Sequence, residues 1–529
     1  DGIRDRSPSR GLGDVYKRQR NNNSHYNFEN VIWYFESNES STADEMIKTG
    51  FTNLYASNLT ETSYDLSSLE RNTTYLWQVV AKDPSGQSRS SIMNFKTALI
   101  SPEWSYDTGD NVNAVAVSAD GEYIVVGGDD DYVYLFDKDS NTPLWSHDIG
   151  SDIESISISA DGQYIVVGSA GAGKVYLFNK DSSTPVWSYY TGAPVDSVVI
   201  DAMGEYIAVG SVGYVYLFSV DSSTPVWKYE LGDLPYILVD FSADGEYIVT
   251  GIGDRQGSCS SCDNRVHLFG KNSSTPIWYY EAGDDIESIA ISADGEYIAA
   301  GSHDEYLYFF NKDSNTVIWS SNIGYVYSVD VSADGEYIVA GSENEKVYLY
   351  NRNSSTPLWS YDTDDFVESV SISADGEYIV VSGKNNIVYL FDKDSGTPLW
   401  TYETDGDVYT VDISADGTYL SAGSYDGNIY TFNNNLTSRP SVFAYGPRSN
   451  AEVESSHVLR WFAGSDDRSN LTFDVYLDTD SDPDTKVADD ITTFYYNAQC
   501  LDIDTKYYWK VVATDGNGCL LYTSDAADE

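Results

Sequence analysis

The sequence predicts an all-β protein whose central part is an eight-bladed β-propeller. One stretch, which from Ser373 to Trp400 reads SADGEYIVVSGKNNIVYLFDKDSGTPLW, recurs in eight versions along the chain. The glycine of its first turn recurs at intervals of 40 to 50 residues, at Gly121, Gly162, Gly204, Gly245, Gly295, Gly335, Gly376 and Gly417. A period near forty residues, with two apolar runs and two turn signals in each period, is typical of propeller blades.

Each repeat predicts four short strands. In the seventh copy these are Val367–Ser373, Tyr378–Ser382, Ile387–Phe391 and Pro398–Tyr402. All four are rich in β-branched or aromatic residues and are bounded by turn formers. Ala-Asp-Gly makes the first turn, where glycine can take a positive φ. Modules of this size bury both faces only against neighbours, so we expect a closed ring.

The order of strands within the array predicts how the ring closes. A tryptophan marks the fourth strand of every repeat, at Trp104, Trp145, Trp187, Trp227, Trp278, Trp319, Trp359 and Trp400. The array begins with an isolated fourth strand at Trp104 and ends with three strands over Val408–Phe432. We therefore expect the Trp104 strand to complete the last blade, without a covalent link.

The remaining sequence divides into four segments around this array. Residues 1–20 carry six of the 30 basic residues and no strand pattern. Residues 519–529 abruptly interrupt the pattern of the predicted domain before them. Both ends resemble translated sequencing-adapter sequence, which predicts non-native segments; a basic nucleic-acid-binding arm is the alternative for the first. The predicted organisation is 1–20 non-native, 21–98 a partial sandwich, 99–436 the propeller, 437–518 a second partial sandwich and 519–529 a non-native tail.

The two flanking sandwiches are predicted from a stretch that occurs twice. LERNTTYLWQVVAKD begins at Leu69, and LDIDTKYYWKVVATD begins at Leu501. Both resemble the late strands of a fibronectin type III domain, in which the Tyr-x-Trp-x-Val-x-Ala strand lies in the core. The candidate strands are Val31–Phe35, Tyr75–Ala81, Val458–Phe462, Phe473–Leu477 and Tyr507–Ala513. Neither copy contains a whole sandwich, so we expect the chain to be part of a longer protein.

The charge of the chain excludes one class of partner. Its net charge is −53, from 83 acidic and 30 basic residues. Nucleic acid is excluded as a partner because phosphate binding needs positive charge. The acidity indicates either a solvated surface suited to salty water or the binding of divalent cations. No apolar run is long enough to span a bilayer, and seven Asn-x-Ser/Thr sites favour an extracellular or cell-surface protein. We expect a monomer.

Two segments carry candidate sites with metal-binding or redox residues. Cys259 and Cys262 form a CxxC pair in an insertion of the fourth repeat, which predicts a local disulfide; half of a zinc site and a redox centre are the alternatives. The second segment is an alternation of aspartates that resembles the opening of a calcium loop, and its alternative is a polar connection. The candidate calcium ligands are Asp478, Asp480, Asp482 and Asp484.

A third candidate site is formed by one position near the start of each first strand. The residues at this position are Asn113, Glu154, Asp196, Glu287, Tyr327, Glu368 and Tyr409. We expect them to rim the central channel, on the face that also carries the insertion. Carboxylate-rich rings attract hard cations and cationic partners. A solvated rim without a ligand is the alternative.

The repeat resembles two known families. Ser-Ala-Asp-Gly-x-Tyr-Ile-x-x-Gly-Ser resembles WD-repeat blades, and Val-Tyr-Leu-Phe-Asp-x-Asp-Ser-x-Thr-Pro-x-Trp resembles the quinoprotein (PQQ-like) repeat. The first resemblance implies a rigid platform for protein partners. The second implies, for its dehydrogenases, a vicinal cysteine pair, a cofactor-bound calcium and a catalytic aspartate, and this sequence contains no adjacent cysteines.

These observations favour a non-catalytic binding scaffold over an enzyme. The propeller face would bind a protein or glycan partner, with calcium as the one candidate cofactor. A quinoprotein-like or hydrolytic enzyme with its site at the channel is the alternative. A third hypothesis is assembly of an outer envelope, in which the ring binds other surface proteins.

Overall fold

A computed structural model gives the structure of the chain in two compact units, Asp1–Ser101 and Pro102–Glu529. In the first unit the structure describes the backbone of five strands only. In the second it describes residues 101–232, 236–253, 264–434, 441–446, 456–464, 472–479, 485–491, 495–499, 508–514 and 520–522. Within these described parts, no helix is long and apolar enough to cross a bilayer.

The first unit contains one antiparallel sheet in the order β2-β1-β3-β4, with β5 paired to β3. Its strands are β1 (Asn30–Ser37), β2 (Leu54–Leu59), β3 (Thr74–Asp83), β4 (Gly86–Arg89) and β5 (Met93–Lys96). The strands predicted over Val31–Phe35 and Tyr75–Ala81 lie inside β1 and β3 and are confirmed. The fibronectin type III topology stays a prediction.

The central array forms eight four-stranded antiparallel sheets, which we call blades one to eight. Blades one to seven each use four consecutive strands, and blade eight uses the last three strands together with β6. The strands are β6 (Trp104–Asp107), β7 (Val112–Val117), β8 (Tyr123–Gly128), β9 (Tyr132–Asp137), β10 (Trp145–Asp148), β11 (Ile153–Ile158), β12 (Tyr164–Ser169), β13 (Lys174–Asn179), β14 (Ser182–Tyr190), β15 (Val195–Ile200), β16 (Tyr206–Ser211), β17 (Tyr214–Ser219), β18 (Trp227–Glu230), β19 (Tyr236–Phe241), β20 (Tyr247–Gly253), β21 (Arg265–Gly270), β22 (Trp278–Glu281), β23 (Ile286–Ile291), β24 (Tyr297–Ser302), β25 (Tyr306–Asn311), β26 (Val317–Asn322), β27 (Val326–Val331), β28 (Tyr337–Ser342), β29 (Lys346–Asn351), β30 (Trp359–Asp362), β31 (Val367–Ile372), β32 (Tyr378–Gly383), β33 (Ile387–Asp392), β34 (Trp400–Glu403), β35 (Val408–Ile413), β36 (Tyr419–Ser424) and β37 (Asn428–Asn433).

Two further sheets follow the array, in the orders β38-β39-β42 and β41-β40-β43-β44. Their strands are β38 (Ser441–Gly446), β39 (Ser456–Gly464), β40 (Thr472–Asp478), β41 (Lys486–Ile491), β42 (Tyr495–Gln499), β43 (Tyr508–Thr514) and β44 (Leu520–Tyr522). The strands predicted in this segment fall on β39, β40 and β43, with Tyr507 just outside the last.

The hydrophobic core lies between neighbouring blades. The two middle strands of a blade, such as β12 and β13, are buried along almost their whole length, whereas the outer strand β14 alternates between exposed and half-buried residues. Val166 and Leu177 of blade two pack in one cluster with Val198 and Phe218 of blade three. Middle strands are covered on both faces and therefore read as apolar runs, while the outer strand has one wet side.

The predicted strand boundaries differ from the observed ones mainly in the fourth strand. In blade seven this strand begins at Trp400 instead of Pro398. Proline has no N–H to donate to the ladder, so regular pairing starts after it. The other three strands of the blade begin where they were predicted and end within one residue of the prediction.

The repeated SADG turn has a structural role in seven of the eight blades. In blade seven, Gly376 takes a φ of +70°, and a Cβ there would lie 2.6 Å from a ring carbon of Tyr337. Ser373 Oγ donates to Asp375 Oδ1 at 2.6 Å and accepts from the N–H of Tyr378 at 3.0 Å. The motif therefore combines a left-handed glycine with a side-chain clamp that joins the first two strands.

The last blade closes the ring as predicted. β6 pairs with β37, with Trp104 opposite Thr431, and the first strands contact each other in a complete cycle from β7 through β35 back to β7. The N–H of Val117 donates to Asp412 Oδ2 at 2.7 Å, and the N–H of Ala415 donates to the carbonyl of Ala119 at 3.0 Å. Blades eight and one are thus joined by the same kinds of contact as covalently consecutive blades.

Seven of the eight repeat tryptophans link one blade to the next. Their indole N–H groups donate to backbone carbonyls of the following blade at 2.6–2.8 Å. Trp400 differs, because it is 3% exposed and its Nε1 has no hydrogen-bond partner. The tryptophan is therefore both a core residue and, in seven cases, a connector between blades.

This difference gives a matched pair of substitutions. Trp359→Phe should remove the hydrogen bond to the carbonyl of Lys393, 2.8 Å long, whereas Trp400→Phe removes a buried donor that has no acceptor. We expect Trp359→Phe to lower the free energy of unfolding by about 1–2 kcal/mol more than Trp400→Phe. Urea unfolding followed by circular dichroism measures both, and equal losses would contradict the assigned role of the indole N–H.

Candidate functional site

Seven blades carry a β-bulge at the same place. The pairing of the first and second strands skips one residue after the first paired position, and the skipped residue is the extra one of the bulge. In chain order the skipped residues are Asn113, Glu154, Asp196, Glu287, Tyr327, Glu368 and Tyr409. These are the seven predicted rim residues, so the position selected from the sequence is a backbone feature of the fold. A bulge bends the strand and re-aims its side chain.

Blade four lacks the bulge. Its first strand pairs continuously with the second, from Tyr236 opposite Gly253 to Phe241 opposite Ile248. The predicted insertion begins directly after Gly253, between the second and third strands and at the same end as the bulges of the other blades. The chain therefore leaves β20 toward the insertion at the end of the ring that carries the bulges.

The residue that follows the second strand pairs with the residue just before the first strand, beside the bulge. In each case its N–H donates to the carbonyl just before the first strand, for example Lys384 to Phe366 at 3.0 Å and Tyr425 to Asp407 at 2.9 Å. We call these residues the partner position; they are Asp129, Ala170, Val212, His303, Glu343, Lys384 and Tyr425. The bulge residues and the partner position together form the mouth of the ring, the candidate site.

Four blades show direct side-chain contact across this pair of positions. In blade one Asn113 Nδ2 donates to Asp129 Oδ1 at 2.6 Å. In blade five His303 Nε2 lies 3.1 Å from Glu287 Oε1, and in blade seven Lys384 Nζ lies 2.8 Å from Glu368 Oε1. In blade eight the rings of Tyr409 and Tyr425 stack with centroids 3.7 Å apart and planes 10° apart. The mouth thus changes from acidic in blades one and two to mixed aromatic and charged in blades five to eight.

The surroundings of His303 favour its protonated form. The contact with Glu287 raises its pKa, with further contributions from Asp285 and Asp284 that outweigh partial burial. Its ring stacks on Tyr325 at 5.1 Å and meets Tyr327 edge-on at 6.1 Å. Protonated imidazole between aromatic rings and a carboxylate is a favourable arrangement.

Lys384 has a similar environment two blades away. The hydrogen bond to Glu368 is the first cause of its raised pKa. Its ammonium group also lies 5.2 Å from the centroid of the Phe366 ring. Two internal cations of the mouth are therefore each held by one glutamate and an aromatic ring.

The structure corrects the assignment of Asp196 to an accessible rim. Asp196 is 3% exposed, and its Oδ2 accepts from the N–H of Ile237 at 3.2 Å. Blade four has no bulge, and the side chain of Asp196 takes up the N–H at the start of its first strand. Glu154, by contrast, is exposed.

A second group of carboxylates, which the sequence reasoning missed, lies along the first strands. Asp240, Asp330 and Asp412 occupy the same register in blades four, six and eight, and each accepts an N–H from the following blade at 2.7–2.9 Å. Ser371 Oγ lies 3.3 Å from Asp330 Oδ2 and 3.2 Å from Asp412 Oδ1. The sequence does carry a sign of this group, because an aspartate is the penultimate residue of the first strand in blades four, six and eight.

Burial sets the protonation of these three groups. It raises the pKa of Asp240 to about 7, of Asp330 to about 6 and of Asp412 to about 7. Because the folded pKa lies above the unfolded value, the folded state holds more protons between about pH 4 and 7, and stability falls as the pH rises through that window. The folded protein is therefore more stable when these carboxylates are protonated, because their ionised form is destabilised by burial.

Of the six candidate metal-binding and cysteine residues, the structure describes only Asp478. Cys259, Cys262, Asp480, Asp482 and Asp484 lie outside the described residues. Asp478 is described, and it accepts from the N–H of Thr479 at 2.7 Å and from the hydroxyl of Thr485. Among the described residues, no three His, Cys, Asp or Glu side chains are grouped to hold a metal ion. Calcium at this loop stays a prediction.

Comparison with known proteins identifies the repeat. A family model described as outer membrane protein assembly factor BamB matches residues 65–255 and 262–438. A comparison with curated proteins gives no match.

Solved structures share the fold at low sequence identity. The Dos1 propeller is 14% identical with a TM-score of 0.53, covering 63% of this chain and 95% of its own. Sqt1 from Chaetomium thermophilum, bound to the N-terminus of the ribosomal protein L10, is 16% identical with a TM-score of 0.54, covering 63% and 100%. The computationally designed Ika8 protein is 13% identical with a TM-score of 0.54, covering 62% and 98%. These similarities concern the β-propeller fold alone.

Proposed function

This chain belongs to the family described as outer membrane protein assembly factor BamB, and on that premise we propose that it is a non-catalytic scaffold whose propeller binds a protein partner. The contact surface is the mouth. The observation that carries the proposal is the row of seven bulges, which place variable side chains at one end of a constant ring. Bulges of this kind re-aim side chains without changing the sheet around them.

Two further points support a protein partner. Sqt1, which has this fold, is described as bound to the N-terminus of another protein. The mouth also combines exposed tyrosines with charged residues, as protein interfaces do. Tyr325 is 38% exposed and Tyr425 is 42% exposed.

We place this scaffold at the cell surface or outside the cell, as part of envelope assembly. The family description and the Asn-x-Ser/Thr sites support this location. The segments 21–98 and 437–518, which we propose as partial fibronectin type III sandwiches, would serve as spacers.

Site-specific photo-crosslinking tests the contact surface. Glu154 and Asp161 are both exposed acidic residues of blade two; Glu154 is the bulge residue, and Asp161 lies in the turn at the other end of the same strand. A photoreactive residue at 154, in a chain expressed in a bacterial host with an outer membrane, is expected to crosslink a discrete envelope protein, whereas the same residue at 161 is not. Equal crosslinking at both positions, or none at either, would contradict the proposal.

The enzymatic alternative is tested separately. After incubation with pyrroloquinoline quinone and calcium, a quinoprotein would show a bound-quinone absorbance spectrum and dye-linked turnover. The scaffold proposal expects neither. Turnover that depends on both additions would replace it.

A further inference from the structure

The two internal cations of the mouth show which chemistry this surface stabilises. His303 lies against Tyr325 and Glu287, and Lys384 lies against Phe366 and Glu368. Both cations occupy the partner position, and both glutamates are bulge residues. A positive charge between an aromatic face and a carboxylate gains from both interactions.

Blade eight keeps the aromatic part of this arrangement and supplies no cation of its own. Tyr425 stands at the partner position, where blades five and seven have His303 and Lys384, and Tyr409 stands at the bulge. The two rings stack at 3.7 Å, and Tyr425 is 42% exposed. In such a stack each ring covers one face of the other, so a cation can contact an outer face of the pair.

Carboxylates lie near both rings, and Lys384 also lies near Tyr409. The pKa of Tyr425 is raised to about 12. Burial is the largest cause and Tyr409 is the next, and the charges of Asp129, Glu154 and Glu368 also contribute. Glu368 is already paired with Lys384, and Asp129 accepts two amide hydrogen bonds from Asn111 and Asn113. Neither asparagine carries charge, so the acidic field at Tyr425 persists on the blade-one and blade-two side.

We propose that the Tyr409–Tyr425 pair binds a lysine or arginine side chain carried by a basic segment of the protein partner. The inference rests on the proposed function and names the chemistry of that partner. The stacked rings supply the aromatic face, and the acidic side chains of blades one and two supply the carboxylates, as Phe366 and Glu368 do for Lys384. The net charge of −53 favours the approach of a basic segment over an acidic one.

The test uses the whole chain and a short peptide of alternating glycine and lysine, blocked at both ends. A matched peptide has glutamine in place of lysine. Binding is measured by fluorescence anisotropy at about 0.15 M salt, where screening over about 8 Å suppresses diffuse attraction to the acidic surface. The lysine peptide is expected to bind with one-to-one stoichiometry, and the glutamine peptide is expected to bind at least about 10-fold more weakly.

Three variants locate the binding. Tyr425→Ala should weaken lysine-peptide binding by about 3- to 30-fold, and Tyr425→Phe, which keeps the ring, should bind as the unmodified chain does. Tyr190→Ala is the matched control, because Tyr190 is 65% exposed on the outer strand of blade two, away from the bulge positions. Thermal unfolding confirms that each variant is folded.

Three outcomes would overturn the inference. The first is that the lysine and glutamine peptides bind equally well. The second is that Tyr425→Ala binds the lysine peptide as tightly as the unmodified chain does. The third is that spermidine binds as tightly as the lysine peptide, which would indicate a free polyamine in place of a protein segment. The scaffold proposal and the basic-segment inference can be tested separately. If crosslinking at residue 154 captures a protein partner and Tyr425→Ala leaves the yield unchanged, the scaffold stands and the basic-segment inference falls.

Discussion

Replacing Trp104 by alanine is expected to lower the free energy of unfolding by about 3–5 kcal/mol and to release the strand that closes the ring. Trp104 is 9% exposed, its ring centroid lies 5.1 Å from that of Phe136, and its Nε1 donates to the carbonyl of Lys138 at 2.7 Å. The strand Trp104–Asp107 has no hairpin connection to the strand beside it, so side-chain packing and backbone pairing alone keep it in place. Urea unfolding measures the loss, and hydrogen exchange measures the release.

Trp187→Ala is the control for this substitution. Trp187 makes the same contacts in blade two, with a ring centroid 5.5 Å from Phe218 and a 2.8 Å hydrogen bond to the carbonyl of Val220. Its strand, however, follows the preceding strand of the same blade through a short turn. Faster amide exchange in Ser105–Asp107 and its partner strand is therefore expected only for Trp104→Ala. Identical local exchange in the outer strands of both variants would contradict non-covalent closure at Trp104.

Restoring the common turn in blade three should stabilise the protein by about 1–3 kcal/mol at pH 8. The turn in this blade has Asp201 and Met203 where blade seven has Ser373 and Asp375. Asp201 is 1% exposed, and its Oδ2 has no hydrogen-bond partner. The double substitution Asp201→Ser with Met203→Asp replaces this unpaired oxygen with the serine–aspartate clamp of the other blades, in which the aspartate accepts hydrogen bonds, as Asp375 does in blade seven.

The gain should depend on pH. Burial, the largest cause, raises the pKa of Asp201 to about 7 from an ordinary value of 3.8. The folded state therefore holds an extra proton between those values, and the cost of the buried charge grows as the pH rises through that window and is complete above about pH 7. Thermal unfolding at pH 5 and pH 8 should show the larger stabilisation of the double variant at pH 8.

The reverse exchange in blade six is the matched control. Ser332→Asp with Asp334→Met copies the blade-three turn into a blade that has the common one, in which Ser332 Oγ donates to Asp334 Oδ1 at 2.8 Å. It should destabilise the protein by a similar amount. A stabilising effect of this control, or none of the restored turn in blade three, would show that the buried carboxylate is not the cause.

Most of the fold could be predicted from features that lie within a single repeat. Turn glycines, alternating apolar runs and the tryptophan of the outer strand lie within one forty-residue unit, and each acts on neighbours close in the chain, as in Ser373, Asp375 and Tyr378. The offset of the array ends also predicted that Trp104 would complete blade eight. Such features are readable from the sequence because the forces behind them operate within one hairpin or follow from counting strands.

The seven positions predicted as a rim coincide with the seven bulge residues, but the backbone feature that they share was not visible in the sequence. They are bulge residues, and a bulge appears only when two strands are paired. The contacts of Glu287 with His303 and of Glu368 with Lys384 span a constant sixteen residues, which a search for fixed offsets could have found. The burial of Asp196 could not have been found in this way, because it depends on the absence of a bulge in the neighbouring blade.

The amino-acid sequence by itself determined the β-propeller, its repeated unit, the closing strand and the end of the ring that varies. Only the tertiary structure decided which variable side chains meet, which carboxylates are buried and which aromatic pair faces an acidic surface without a cation of its own. The physical reason is the separation along the chain over which each interaction acts. Strand and turn preferences act over a few residues, whereas pKa values, ion pairs and ring stacking depend on groups that the closed ring brings together from distant parts of the chain.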